Sequence, residues 1–251
     1  MKNIARLALT VIFVQSANAE LGLELAYENS IVWESRNVAR IPNATGTLLD
    51  LNQNRKQPLT WNAPRVYLSY FVAENHELRS LWAPLSISGN LNRPESSVFF
   101  GETFAPNLDL QTFYKFNSYR LSYIYHFYKS EPWSMALGLT AKIRDAEIRI
   151  SHDNQVASKK NLGFVPLLHF QANRTLGDNW SLGFDLDASA APQGRAVDAA
   201  LKLERLVTFF GAGHRLNLYA GYRTVEGGAD VESVYNFAWF NAFILGARGI
   251  F

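Results

Sequence analysis

The sequence has two carboxylates and a hydroxyl at alternate positions, Asp185, Asp187 and Ser189. This spacing places the three side chains on one face of a strand. Two neighbouring carboxylates can act as an acid and a base if one of them keeps its proton at neutral pH. His169 has the same parity in the preceding segment. These four residues are the candidates for a catalytic site.

A larger set of charged residues shares the predicted inner face of the same strands. Opposite charges in a narrow interior would pair, with Asp185 and Asp187 bonded to Arg144 or Arg223, whereas solvated charges would line a channel. The predicted interior set contains Arg120, Lys142, Arg144, Asp185, Asp187, Asp198, Lys202, Glu204, Arg215, Arg223 and Arg248.

Sequence motifs for metals and cofactors are missing. The five His residues have no HxxH or HxxxH spacing, and the chain has no Cys. Gly211, Gly213, Gly227 and Gly228 are typical of turns, since no Lys-Ser or Lys-Thr pair that opens a helix follows them. We therefore expect no metal and no cofactor.

The elements that must position these residues are strands, because apolar and polar residues alternate along most of the chain. The clearest example is 234–251, where Phe243, Leu245 and Phe251 share an uncharged face. Its length exceeds the ~9–11 residues that a tilted strand needs to cross a bilayer. The alternation predicts ten strands, at 21–27, 63–73, 77–89, 108–128, 133–150, 161–173, 180–188, 197–207, 215–223 and 234–251.

The connections between these strands alternate in length, with long external loops at 28–60 and 90–107 and short turns at the other end. The sequence therefore predicts an all-β fold. It is a transmembrane antiparallel up-and-down β-barrel of about ten strands, with eight or twelve as alternatives. A soluble β-sandwich is the competing interpretation. Pro84 and Pro166 fall inside predicted strands, so each requires a bulge or an unpaired position.

The first nineteen residues have the pattern of a secretory signal peptide, with Lys2 and Arg6, an apolar run and a small-residue ending at Ala19. The barrel domain is then 20–251. Removing Lys2 and Arg6 from the 24 Lys and Arg leaves 22, which equals the 22 Asp and Glu. A balanced charge gives no basis for binding nucleic acid.

Aromatic residues are predicted to form a membrane girdle at the end with the short turns. Trp133 and Trp180 each begin a strand after a turn, and Phe127 and Phe251 lie at the same rim. Arg205 falls on the lipid side of its strand and requires a position at the rim. Phe251, the last residue, has the character of an assembly signal.

Four segments carry a family resemblance: KIRDAEI at 142–148, GFVPLLH at 163–169, AAPQGRAVD at 190–198 and GYRTVEGGADVESVYNFAWFN at 221–241. In these segments the chain resembles a family of uncharacterised proteobacterial outer-membrane β-barrel proteins. The resemblance implies the barrel and the outer membrane of a Gram-negative bacterium, but no activity. In its predicted number of ten strands the chain also resembles the omptin proteases, whose rim holds an Asp pair and an Asp-His pair. Only His152-Asp153, in reverse order, approaches that pattern.

The sequence favours a non-catalytic barrel with a charge-plugged lumen and a structural or loop-mediated binding role. A narrow porin-like channel for small solutes is the first alternative, and a rim-sited hydrolase acting on lipid or peptide is the second. The expected partners are outer-membrane lipid, lipopolysaccharide and the barrel-assembly machinery, without nucleic acid.

Overall fold

A computed structural model describes residues 22–51, 59–208 and 215–251, so the predicted signal peptide at 1–19 lies outside the described residues. Within these ranges no helix is long and apolar enough to cross a membrane. The strands are β1 (Leu23–Arg40), β2 (Leu49–Asp50), β3 (Leu59–Trp61), β4 (Arg65–Ala73), β5 (His76–Ala83), β6 (Ser86–Asn92), β7 (Ser97–Phe99), β8 (Glu102–Phe104), β9 (Asp109–Ser130), β10 (Trp133–His152), β11 (Gln155–Gly177), β12 (Trp180–Ala191), β13 (Gly194–Thr208), β14 (Arg215–Val231) and β15 (Val234–Ile250).

The strands form one closed antiparallel ring. β9 to β15 pair in chain order, and β15 pairs with β1 from Glu24↔Ile250 to Arg40↔Tyr235. β2, β3 and β4 follow one another beside β1, and β5 and β6 follow one another beside β9. In the described ranges the ring thus has ten strand positions, which confirms the predicted up-and-down barrel.

Alternation along the strands separates an apolar outer face from an inner face that is polar in most strands and apolar in β15, where Phe240 and Ile244 are buried. In β9, Leu121 and Tyr123 are exposed, whereas Arg120 and Ser122 are buried. Nine of the ten ring positions expose a leucine on the outer face: Leu25, Leu68, Leu78, Leu121, Leu139, Leu168, Leu201, Leu218 and Leu245. Such a belt is the surface that a transmembrane barrel presents to lipid.

The prediction that 28–60 forms a loop was wrong for its first part, since β1 continues to Arg40. Glu28, Ser30 and Glu34 point inward and are buried. Because the inner face of this strand is polar, its period does not stand out as a run of apolar residues. A register shift between Glu34 and Arg36 also breaks the alternation.

Both prolines lie where backbone hydrogen bonding between strands is interrupted, or where the strand has no paired neighbour on one side. Pro84 lies between β5 and β6, where the side chain of Asn117 accepts a 3.1 Å hydrogen bond from the Leu85 N–H. Pro166 pairs with Ala141 of β10, but the pairing of β11 with β12 begins only at Leu168. Neither proline therefore disrupts a ladder that continues on both sides.

The two ends of the barrel differ. Short turns, such as Glu74–Asn75 between β4 and β5, join strands at one end. At the other end the chain after β1 and the chain around β7 and β8 bond to each other, with Phe100 N–H donating to the Ile41 carbonyl at 2.7 Å. Phe99 and Phe104 are fully buried in this region. We call residues 41–51 and 93–107 the cap, because they cover part of the mouth.

The residues predicted to form the girdle are exposed near the end with the short turns. Trp133 and Trp180 begin strands there, Phe127 precedes a turn, and Phe251 ends the chain. Arg205 is also exposed, with its guanidinium carbon 5.4 Å from the centre of the Trp180 ring. The rim position lets the charge of Arg205 reach water while its stem covers the ring.

Candidate functional site

Among the residues that the structure describes, twelve charged side chains form ion pairs inside the barrel, and we call them the charged layer. Alternation turns each of them inward from its strand. Six are acidic and six are basic: Glu28, Glu77, Asp185, Asp187, Asp198 and Glu204, with Arg65, Arg79, Arg120, Lys202, Arg223 and Arg248. Every member has at least one partner of opposite charge, so the layer is neutral as a whole.

Asp198 on β13 is the centre of the charged layer. Its Oδ2 accepts hydrogen bonds from Nη2 of Arg65 at 2.8 Å and from Nη2 of Arg120 at 2.6 Å, and its Oδ1 accepts one from Nη1 of Arg223 at 2.5 Å. The residue is 4% exposed. Glu28 holds Arg223 with two bonds of 3.0 Å, so this arginine is shared by two carboxylates.

Asp187 on β12 links the centre to a buried histidine. Its Oδ2 accepts from Nη1 of Arg120 at 2.6 Å, and its Oδ1 lies 3.0 Å from Nδ1 of His169 and accepts from the Thr140 hydroxyl at 3.1 Å. Three partners hold this carboxylate in one orientation. The fixed carboxylate in turn orients the imidazole of His169.

The remaining ion pairs continue toward the end with the short turns. Lys202 pairs with Asp185, and Arg248 pairs with Glu204. Arg79 donates to Glu77 at 2.7 Å, and Nε2 of His126 lies 2.9 Å from the same carboxylate. The Tyr219 ring packs beside Lys202 and above Gly246, where a Cβ would lie 2.2 Å from the tyrosine Cζ. Ion pairs and the Tyr219 ring therefore occupy most of the interior between Asp198 and this end.

The space left inside the charged layer is small. A cavity of about 60 Å³ lies among Arg120, His169, Asp187 and Asp198. A buried water needs ~10–15 Å³ of such space, so the cavity holds only a few water molecules. The buried Nε2 of His169 has no hydrogen-bond partner among the described residues.

Eight of the eleven predicted interior residues lie in the charged layer. The other three do not: Lys142 lies over the Phe116 ring, Arg144 donates to Asn161, and Arg215 is exposed. Contrary to expectation, Asp185 and Asp187 pair with Lys202 and Arg120 rather than with Arg144 or Arg223. Sequence reasoning missed four members, Glu28, Arg65, Glu77 and Arg79. Alternation with Leu78 and Trp82 could have identified Glu77 and Arg79, whereas Glu28 was assigned to a loop.

Of the four candidates for catalysis, the structure brings only His169 and Asp187 into contact. Asp185 bonds elsewhere, and Ser189 forms no side-chain hydrogen bond with a described residue. The His169–Asp187 pair lies inside the barrel, away from either rim. His152 and Asp153 lie at the tip of the β10–β11 hairpin, 3.5 Å apart and exposed. Among the described residues no group of His, Asp and Glu side chains could hold a metal ion.

No protein-family model and no curated protein matches this chain. Solved structures do match it. The outer membrane protease OmpT of Escherichia coli has a TM-score of 0.51 at 9% identity, over 95% of this chain and 99% of OmpT. Ail of Yersinia pestis, solved with the heparin analogue sucrose octasulfate, has a TM-score of 0.40 at 10% identity, over 91% of this chain and 99% of Ail. The toluene transporter TodX of Pseudomonas putida has a TM-score of 0.34 at 5% identity, over 93% and 90%.

These structures are bacterial outer-membrane β-barrel proteins, and at such low identities the similarity shows the fold alone. The architecture implied by the family resemblance is confirmed. No sequence match supports the particular family.

Proposed function

We propose that this protein is an integral outer-membrane β-barrel that is not a catalyst and whose lumen is closed by the charged layer. The observation that carries the proposal is the arrangement around Asp198. Arg65 and Arg120 reach this carboxylate from β4 and β9, which lie across the ring from β13, whereas Arg223 reaches it from the neighbouring β14. Bonds that cross the interior in this way obstruct it.

The energetics favour a closed interior. An unpaired ion in a narrow, poorly hydrated space costs several kcal/mol even after relaxation, and pairing offsets that cost. The charges of the six acids and six bases of the charged layer cancel one another, and Glu24 is a further acid that lines the same cavity. A porin-like channel needs a continuous water path, whereas the cavity within the charged layer measures about 60 Å³.

The contacts of such a barrel follow from its surface. The exposed leucine belt would bind the acyl chains of outer-membrane lipid and lipopolysaccharide, and Phe251 would be read by the barrel-assembly machinery. The cap and the mouth are the surfaces available for binding from outside the cell. We therefore infer a structural or loop-mediated binding role.

Two assays test this proposal. Separation of membranes on a density gradient should place the protein with the outer membrane, and recovery with the inner membrane would contradict that location. Liposomes that contain the purified barrel should swell in small sugars no faster than empty liposomes, with a general porin as the positive control. Swelling that rises with the amount of barrel would favour the channel.

A further inference from the structure

Two further cavities lie between the charged layer and the mouth, on either side of a group of aromatic rings. Tyr114, Phe116 and Phe240 are buried, with ring centres 5.7–6.3 Å apart. Below them is a cavity of about 50 Å³ beside Arg120, and beyond them is a mouth pocket of about 150 Å³. Phe116 lines both cavities, so the rings form the floor of the mouth pocket.

The mouth pocket combines an apolar floor with polar walls. Tyr114, Phe116 and Ile148 supply apolar surface, while Arg144 and Lys159 supply positive charge from β10 and β11. Drug-sized ligands occupy pockets of ~300–1,000 Å³, so this pocket suits a smaller molecule.

The cations of the mouth pocket differ from those of the charged layer in their partners. Arg144 donates from Nη2 to Asn161 at 2.6 Å, and its buried Nε bonds to no described residue. The Lys159 ammonium lies 5.3 Å from the centre of the Phe100 ring. In the parts of the chain that the structure describes, neither residue forms a salt bridge, although all six bases of the charged layer do.

The acidic residue of the pocket is already bound. The Glu147 carboxylate accepts a hydrogen bond from the Ser158 hydroxyl at 3.0 Å and lies 3.9 Å from Nη1 of Arg149. Arg149 therefore offsets part of its charge from outside the pocket, and within the lining the two cations outnumber this one carboxylate. The pocket therefore retains unbalanced positive charge over an aromatic floor.

We propose that the mouth pocket binds a small organic anion with a flat apolar body, of the class of aromatic carboxylates. The body would lie on Tyr114 and Phe116, and the carboxylate would accept hydrogen bonds from Arg144 and Lys159. A guanidinium offers two parallel donors to a carboxylate, and an unbonded buried donor gains most from such a partner. The site lies outside the aromatic floor, so it goes beyond the closed lumen and does not depend on it.

The test is a ligand-observed NMR titration of the folded, detergent-solubilised barrel with sodium benzoate. Benzyl alcohol has the ring without the charge, and acetate has the charge without the ring. We expect saturable binding of benzoate, about tenfold or more tighter than either comparison compound. Benzyl alcohol lacks the hydrogen bonds to a charged group, each worth about that factor. Acetate lacks the ring, whose burial on the apolar floor contributes a similar amount. Absence of saturable benzoate binding, or equal binding of benzyl alcohol, would overturn the proposal.

Two variants locate the site. Arg144→Gln and Lys159→Gln should each weaken benzoate binding several-fold, whereas Lys160→Gln, the neighbouring exposed position on β11, should leave it unchanged. Lys159 and Lys160 carry the same charge on opposite faces of one strand, so their comparison stands even if Arg144→Gln fails to fold. Equal affinities of the Lys159→Gln and Lys160→Gln proteins would contradict the assignment to the pocket.

Discussion

Replacing Asp198 with alanine should lower the free energy of unfolding by about 3–5 kcal/mol, the cost typical of breaking a buried ion pair by removing one partner. The carboxylate is 4% exposed and accepts hydrogen bonds from Arg65, Arg120 and Arg223. Without it, Arg65 keeps a 2.8 Å hydrogen bond to the Tyr67 hydroxyl and a 3.6 Å contact with Glu28, while Arg120 and Arg223 keep one carboxylate each. Urea unfolding, followed by tryptophan fluorescence, measures the change.

Asp145→Ala is the matched control for Asp198→Ala. Asp145 pairs with Lys115 at 2.8 Å, but its side chain is 32% exposed. Pairs that reach water contribute ~0–1 kcal/mol, so the control should unfold almost as the wild type does. If both variants lose equally little stability, the charged layer does not hold the barrel interior together.

Replacing or deleting Phe251 should remove most of the folded protein from the outer membrane. The Phe251 N–H donates to the Leu23 carbonyl at 2.9 Å, and its own carbonyl accepts from Leu23 N–H at 3.3 Å. These bonds lie at the seam where the first and last strands close the ring. The side chain is 50% exposed and makes no large contribution to the interior, so its importance would lie in recognition during assembly.

Two variants separate the seam from the side chain. Phe251→Ala keeps both backbone bonds, whereas deletion of Phe251 removes them. If the side chain is the assembly signal, the two variants should be equally depleted, while Phe127→Ala, an exposed aromatic at the same end, should assemble normally. Folded protein is measured by its heat-dependent gel mobility in outer-membrane fractions. Normal amounts of folded Phe251→Ala would contradict the signal.

The sequence predicted the outer surface well because lipid imposes a simple chemical contrast there. Leu121 lies between the polar residues Arg120 and Ser122 and is exposed on the apolar belt, as are Leu139 and Leu245. The same contrast did not identify residues 28–40 as a strand. In the structure these residues do alternate, since Trp33 faces outward and its neighbours Val32 and Glu34 face inward. A bulge and a polar inner face hide the strand from a search for apolar periodicity.

Alternation identifies which face a residue occupies, but it does not say which residues meet. Arg120 and Asp187 are 67 positions apart, and their contact depends on the registers of every strand between β9 and β12. Arg144 shares the inner face with Lys142 but lies closer to the mouth, beside Asn161. Predicting the mouth pocket would also have required the position of the cap, since Ile41 contributes to the lining of the pocket.

The current through single barrels in a planar bilayer tests the closed lumen most directly. If the charged layer obstructs the interior, wild-type protein should give no resolved current steps at voltages where a general porin conducts, and Asp198→Ala should conduct more than the wild type. The Asp145→Ala control should remain as silent as the wild type. Large and ion-selective current steps from the wild-type barrel would contradict the account and establish a channel.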